Sequence, residues 1–351
     1  MRQRRNSFIY VGLLLSACWL VAGCSTIDDD LSDCPQENQF QTDYQLKLVT
    51  NMTTELKTQL TTMTELSVAN SLEVHLKDIF TDFAHDVDLS FYDTEGELDR
   101  LQHDKHIMDA NQSSYTLTLP MRKYQHLAVA NIVDNHVVGL TGDEYSHTSM
   151  LLQVEGGSVD DLSAKVVASH NTGLFTARQH MEVLSGVNQT FNVHLYMANC
   201  ATSLVLDPKE QSFTDMKVYA TGFANAFNIS DSTYVYSDTP TLIKAERVAT
   251  NNHLLCFCSV NFPSQDAVPP ASASSRAAKD PSFWQFKVYL TKPDGSVTET
   301  VLDIDESLKA GDLKVIKGEL DSEGAVRPYD SKVGVSVTLD WNNGGNYNPE
   351  L

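Results

Sequence analysis

Basic side chains are scarce in this sequence. Its 351 residues include 25 Lys and Arg against 46 Asp and Glu, which gives a formal net charge of −21. Binding to nucleic acid and attraction to anionic lipid headgroups both need clustered Lys and Arg. This balance therefore argues against a nucleic-acid partner. The apolar fraction of 42% is ordinary for a globular protein, so we expect a folded body.

The motifs of the common enzyme classes are also missing. The sequence has no Gly-x-Ser-x-Gly elbow, phosphate-binding loop, dinucleotide fingerprint or His-Glu-x-x-His pair. His103, Asp104 and His106 lie close together in what we predict to be a polar loop. A metal site needs ligands held inward by rigid elements, and a loop does not supply them. We therefore predict no enzyme activity, no catalytic residue, no metal, no cofactor and no small-molecule substrate.

The N-terminus has the features of a secretory signal. Three arginines within Met1–Ser7 precede an apolar run from Phe8 to Ala17, which is too short to span a bilayer. The following Leu20-Val21-Ala22-Gly23-Cys24 resembles the lipobox of bacterial lipoproteins. That resemblance implies cleavage between Gly23 and Cys24, a diacylglyceryl group on the Cys24 sulfur and an acyl chain such as palmitate on its amine. The alternative is an ordinary signal peptide followed by an incidental cysteine.

Acyl chains on Cys24 would hold the protein to a membrane. Each buried methylene contributes about 0.8 kcal/mol, so two or three chains give a lasting anchor. The adjoining Ser25-Thr26-Ile27-Asp28-Asp29-Asp30 resembles the acidic export tag of lipoproteins on the outside of a Gram-negative outer membrane. The alternative is a solvated spacer. We expect a surface-exposed, lipid-anchored protein of the outer membrane.

The cysteines leave two alternatives open. Cys256 and Cys258 lie two apart in a predicted strand, which places both on one face. A Cys-x-Cys pair without a second Cys/His pair is a weak zinc signal. The cysteines are therefore either buried thiols or include one disulfide among Cys200, Cys256 and Cys258, which an exported protein could keep.

Hydrophobic periodicity indicates an all-β fold with one helix. From Asn70 or Ser71 onward, apolar residues up to Phe83 follow helical spacing. Elsewhere the period is two, for example from Trp284 to Leu290, which a turn at Asp294-Gly295 joins to a returning strand. We place a domain boundary at Ser185–Asn188. The predicted segments are a signal peptide (1–23), a lipidated linker (24–39), an N-terminal β-sandwich (40–187) and a C-terminal β-sandwich (188–351).

The last predicted strand has an uninterrupted alternating face. Its apolar members are Val333, Val335, Val337, Leu339 and Trp341. Such a strand is expected to bury one face fully. It is either the closing core strand of the second sandwich or a strand that enters a groove in a neighbouring subunit.

Several blocks together resemble the FimB-type fimbrial anchor subunits of type V fimbriae. The blocks are residues 24–35, Asp86–Gly96, Tyr115–Pro120, Leu127–Val133 and Gly334–Trp341. The resemblance implies two transthyretin-like antiparallel β-sandwich domains, with the helix as an insertion in the first. It also implies a lipoprotein that holds the base of a fimbria, whose pilin subunits join by strand exchange. The alternative is a surface glycan-binding lipoprotein with an exposed aromatic platform, for which Trp284 and Trp341 are the candidates.

Overall fold

The computed structural model describes residues 37–47, 56–80, 86–95, 100–107, 114–143, 146–154, 166–237, 241–265 and 283–338. Strands dominate these ranges, which confirms the predicted all-β class. In chain order the strands are β1 (Glu37–Lys47), β2 (Val87–Asp93), β3 (Arg100–Ile107), β4 (Ser114–Pro120), β5 (Lys123–Ala130), β6 (Val138–Asp143), β7 (Ser146–Val154), β8 (Val166–Ala168), β9 (Phe175–Glu182), β10 (Thr190–Met197), β11 (Cys200–Asp207), β12 (Asp215–Thr221), β13 (Ala226–Asn228), β14 (Thr233–Val235), β15 (Leu242–Lys244), β16 (Glu246–Val248), β17 (Leu255–Asn261), β18 (Trp284–Thr291), β19 (Val297–Ile304), β20 (Leu313–Leu320), β21 (Val326–Pro328) and β22 (Gly334–Thr338).

The strands form four sheets. Sheet I has the order β3-β2-β5-β9-β10-β1-β4, and sheet II has the order β16-β17-β11-β20-β21. Sheet III has the order β22-β19-β18-β12-β15-β8, and sheet IV has the order β14-β13-β7-β6. Most pairs are antiparallel, as predicted, but β1 with β10, β11 with β20 and β8 with β15 run parallel.

Sheet II is a middle layer between two hydrophobic cores. Along β11, Leu204 and Leu206 belong to one core, together with residues of sheets III and IV. Ala201 and Val205, which alternate with them, belong to the other core, together with residues of sheet I and the helix. Because successive side chains of a strand point to opposite faces, β11 is buried on both sides. This explains its continuous run of apolar and small residues.

Helix α1 (Met63–Ile79) covers the sheet I side of sheet II. Its buried residues are Val68, Ala69, Leu72, Leu76 and Ile79. The predicted helix is confirmed, but its predicted start at residue 70 or 71 is wrong. Thr62 and Glu65 form a capping box that begins the helix at Met63. Phe83, the last residue of the predicted periodicity, lies outside the described residues. Within the described ranges, no helix combines the length and the apolarity needed to cross a bilayer.

Strand pairs cross the predicted boundary between the two domains. β9 and β10 lie on either side of the predicted boundary at residues 187 and 188, and they are neighbours in sheet I. β7 and β8, which precede the boundary, pair with β13 and β15, which follow it. The division into segments 40–187 and 188–351, and the transthyretin-like topology of each, stay predictions.

Candidate functional site

The structure locates only part of the predicted site. Val335 and Val337 lie in β22, and Val333 directly precedes that strand. Gly23 and Cys24, the predicted cleavage and lipidation residues, lie outside the described residues, and so do Leu339 and Trp341.

β22 is an edge strand of sheet III. It pairs with β19, and Val335 lies opposite Leu302 while Val337 lies opposite Thr300. Within the described part of the chain, its other edge has no strand partner. An open strand edge presents a row of backbone donors and acceptors to which another chain can add.

The side chains of β22 are more exposed than the alternation predicts. Val333 is buried, with 8% of its surface exposed, but Val335 and Val337 are 40% and 43% exposed. The prediction that the strand buries one face fully is therefore wrong at Val335 and Val337, while Leu339 and Trp341 lie outside the described residues. Val333 belongs to the same core as Leu302 of β19, but Val335 and Val337 do not, because β22 is the edge strand of the sheet. As a result, β22 combines an open edge with two exposed valines.

A cleft opens beside the start of β22, between sheets II and III. Its volume is about 530 Å³. Ile304, Ile316 and Val333 line it with apolar surface, and Glu306 and Lys314 form an ion pair on its rim. An extended segment that lay along the edge of β22 could therefore continue into this cleft and contact its apolar surface.

Trp284 is part of the core. Only 1% of its surface is exposed, and its ring contacts those of Phe223 and Phe286. Its indole N–H donates to the carbonyl oxygen of Glu306 at 3.0 Å. Trp284 therefore cannot serve as an exposed platform for a sugar.

The three described cysteines are free, buried thiols, so the buried-thiol alternative describes them and the disulfide alternative does not. Cys256 and Cys258 share one face of β17, as predicted, and belong to the core that contains α1. Cys200 points to the opposite face of sheet II, into the other core, and its thiol donates to the carbonyl oxygen of Phe262 at 3.4 Å. Burial raises the pKa of all three thiols, that of Cys256 to about 12, so none is a ready nucleophile.

The region around His103 and His106 is strand β3 and not the predicted loop, since it pairs with β2. Among the described residues, no cluster of three or more His, Cys, Asp or Glu side chains could hold a metal ion.

Two buried histidines lie in positions that no sequence motif marks. The His126 ring stacks on Phe91 at 4.2 Å, and its Nδ1 is 3.0 Å from the carbonyl oxygen of Ser90. The Nδ1 of His170 is 2.7 Å from the side-chain nitrogen of Asn199. Burial lowers the pKa of His126 to about 4 and that of His170 to about 3. Both rings are therefore neutral packing groups near neutral pH.

Comparison with known proteins identifies the family to which this chain is similar. A family model described as fimbrillin-A associated anchor proteins Mfa1 and Mfa2 matches residues 32–342. No curated protein matches the sequence. A candidate adhesin from Bacteroides ovatus ATCC 8483 has a TM-score of 0.51 and 14% identity, and the match covers 88% of this chain and 98% of that one. This similarity supports the all-β fold.

Two fimbrial proteins of Porphyromonas gingivalis are more distant matches. The anchor protein Mfa2 has a TM-score of 0.45 and 9% identity, over 87% of this chain and 99% of that one. The tip protein Mfa3, truncated at its C-terminus, has a TM-score of 0.40 and 11% identity, over 87% of this chain and 100% of that one.

Proposed function

The chain belongs to the family of fimbrillin-A associated anchor proteins Mfa1 and Mfa2, and from this membership we propose that it is a non-enzymatic fimbrial anchor of the cell envelope. Its partners are fimbrial pilin subunits. The open edge of β22, with its exposed Val335 and Val337, is the observation that carries the proposal, because such an edge suits backbone pairing with another subunit.

The membrane end of the anchor is Cys24. In this proposal, residues 1–23 are removed, lipid on Cys24 holds the protein to the outer membrane, and the acidic residues after it keep the protein on the outer surface. The lipobox-like sequence before Cys24 supports this assignment.

The fimbrial end is the chain from Val333 to Trp341. Here β22 pairs with a segment of a pilin subunit or enters that subunit's groove, so that backbone bonds give affinity and alternate side chains give specificity. Val335 and Val337 then exchange contact with water for contact with the partner. The cleft beside Val333 offers further apolar surface to the same partner.

A single substitution tests this use of β22. Because Val337 is 43% exposed, Val337→Asp should leave the stability of the isolated protein within about 0.5 kcal/mol of wild type. We expect the variant to stay folded but to recover much less pilin when it is purified from native membranes.

The matched control is Val235→Asp. Val235 is 46% exposed and lies in β14, an edge strand of sheet IV. This control should retain pilin. Equal recovery of pilin with both variants would show that the edge of β22 does not mediate assembly. A strongly destabilised Val337→Asp protein would show that Val337 belongs to the core of the protein.

A surface glycan-binding lipoprotein is the alternative. It requires exposed aromatic rings in a shallow cleft, and the burial of Trp284 removes one of its two candidates. The other candidate, Trp341, lies outside the described residues. Recovery of polysaccharide without any pilin-like protein would favour this alternative.

A further inference from the structure

The turn between β9 and β10 holds two apolar side chains in solvent. Leu184 is 45% exposed and Val187 is 52% exposed, although the adjacent Val183 is buried in the core that contains α1. An exposed apolar side chain gains free energy wherever it can leave water for an apolar surface. We call the segment from Leu184 to Val187 the apolar tip.

Hydrogen bonds hold the apolar tip in one conformation. The side chain of Gln189 bridges the turn, because its Oε1 accepts from the Leu184 N–H at 2.8 Å and its Nε2 donates to the carbonyl oxygen of Glu182 at 3.0 Å. The carbonyl oxygen of Gln189 accepts from the N–H of Gln41 in β1 at 2.9 Å. The tip therefore presents its apolar side chains without the loss of conformational entropy that a flexible loop has on binding.

The apolar tip lies at the end of sheet I where β1 begins. β1 runs parallel to β10, with Gln41 opposite Thr190, so the chain enters β1 beside the β9–β10 turn. β4 runs antiparallel to β1, and its last residue, Pro120, lies opposite Glu37, so the β4–β5 turn is at the same end. The opposite end of the sheet is one strand length away, which is roughly 35 Å for the 11 residues of β1.

The lipid proposed at Cys24 is attached close to this end. Twelve residues lie between Cys24 and Glu37, the first residue of β1. A chain of that length extends at most about 45 Å. Of the two ends of sheet I, the end with the apolar tip is therefore the nearer to a bilayer that holds this lipid.

Charge does not keep this end away from lipid headgroups. The whole chain has a net charge of −21, which anionic headgroups repel. At the end with the apolar tip, however, Asp93 pairs with Arg122 at 2.7 Å and Glu95 pairs with Lys123 at 3.4 Å. Glu182 adds one further carboxylate at the end of β9. The described turns at this end are therefore close to neutral.

We propose that this end of sheet I lies on the outer membrane and that Leu184 and Val187 insert between the lipid headgroups. The inference rests on the proposed lipid at Cys24, and it adds the surface with which the folded body meets the bilayer. Two side chains alone hold a free protein only weakly. The lipid makes their contact intramolecular, which raises their effective concentration at the bilayer.

A fluorescent label beside the two apolar side chains tests the contact. The label is placed on Ser185→Cys or, as the matched control, on His136→Cys, which follows β5 at the other end of the sheet; both positions are exposed. Both variants also carry Cys34→Ala, and the three described cysteines are buried, so the dye NBD reacts with the new thiol. The mature, lipidated proteins are placed in vesicles of lipid A and phosphatidylethanolamine whose acyl chains carry nitroxide quenchers.

We expect the label at Ser185 to emit at a shorter wavelength and to be quenched, and the label at His136 to show neither change. Adding Leu184→Asp and Val187→Asp should remove the quenching at Ser185. The vesicles should still retain this variant, because the lipid anchors it. Unchanged melting temperatures would show that the variants are folded.

Vesicles that retain the protein while the label at Ser185 stays unquenched would overturn the inference and leave the lipid anchor in place. The inference would also be overturned by equal quenching at His136, or by quenching that survives Leu184→Asp with Val187→Asp. A spectral shift that purified pilin causes without vesicles would assign the apolar tip to a protein contact instead. Protein that does not float with the vesicles at all would overturn the lipid anchor and this inference together.

Discussion

At the scale of single residues, the two buried histidines make stability depend on pH. His126 and His170 have pKa values lowered by burial to about 4 and about 3, against 6.5 for an exposed histidine. Between the lowered pKa of each histidine and pH 6.5, the unfolded chain binds more protons than the folded one. The free energy of unfolding is therefore highest above pH 6.5 and falls as the pH drops toward 4. Each histidine adds a slope of up to about 1.4 kcal/mol per pH unit.

Urea unfolding of the wild type and of His126→Gln from pH 7 to pH 4.5 checks this dependence. Gln keeps a donor near the Ser90 carbonyl but does not titrate, so the slope should decrease. His180→Gln, a change at an exposed histidine, should keep the wild-type slope. Equal slopes for all three proteins would contradict a buried, neutral His126.

The position of a single side chain could be predicted from the sequence only where a pattern specifies which face of a strand the side chain occupies. The shared face of Cys256 and Cys258 followed from their spacing. The opposite placement of Cys200 depends on which face of sheet II meets which core, and a strand's own sequence does not contain that information. His126 lies in a run whose residues are nearly all buried, so no alternation marked it.

At the scale of elements, the start of α1 depends on its capping box. The Thr62 hydroxyl accepts from the Glu65 N–H at 3.3 Å, and a Glu65 carboxylate oxygen accepts from the Thr62 N–H at 2.9 Å. Removing an N-cap of this kind costs about 1 kcal/mol. We expect Thr62→Ala to lower the free energy of unfolding by that amount in urea titrations. Thr61→Ala, one residue before the cap, should change it little, and equal effects of the two changes would contradict the role of the cap.

The same element shows how local signals compete. The sequence Thr-x-x-Glu at Thr62–Glu65 is a capping box, yet the threonines around it favour strands, and apolar spacing alone put the helix start near residue 70. The β18–β19 hairpin lacked this conflict, since the alternation from Trp284 and the turn at Asp294-Gly295 agree. Gly295 has a positive φ of 84°, which glycine adopts without strain. The exposure of β22 could not be predicted, because an alternating pattern does not indicate whether a second layer covers the strand.

At the scale of the whole molecule, sheet II contributes residues to both cores, and we therefore expect the two cores to unfold as one cooperative unit. Leu204 and Val205 are neighbours in β11, but they pack into different cores. Leu204→Ala and Val205→Ala should therefore both lower the midpoint of one and the same unfolding transition. Leu204→Ala should lower the free energy of unfolding by about 2–5 kcal/mol. Calorimetry that resolves two transitions, each moved by only one of the substitutions, would instead support two independent domains.

The central claim is that this protein links a fimbria to the outer membrane through lipid on Cys24. The most direct measurement is the fraction of fimbriae that remains attached to cells carrying Cys24→Ala, with Cys34→Ala as the matched control. We predict that Cys24→Ala loses mature protein and fimbriae from the outer membrane, with fimbriae released into the medium or uncleaved precursor retained, while Cys34→Ala keeps the wild-type fraction. Mature Cys24→Ala protein that stays on the outer membrane in salt-resistant form, with its fimbriae attached, would contradict the claim.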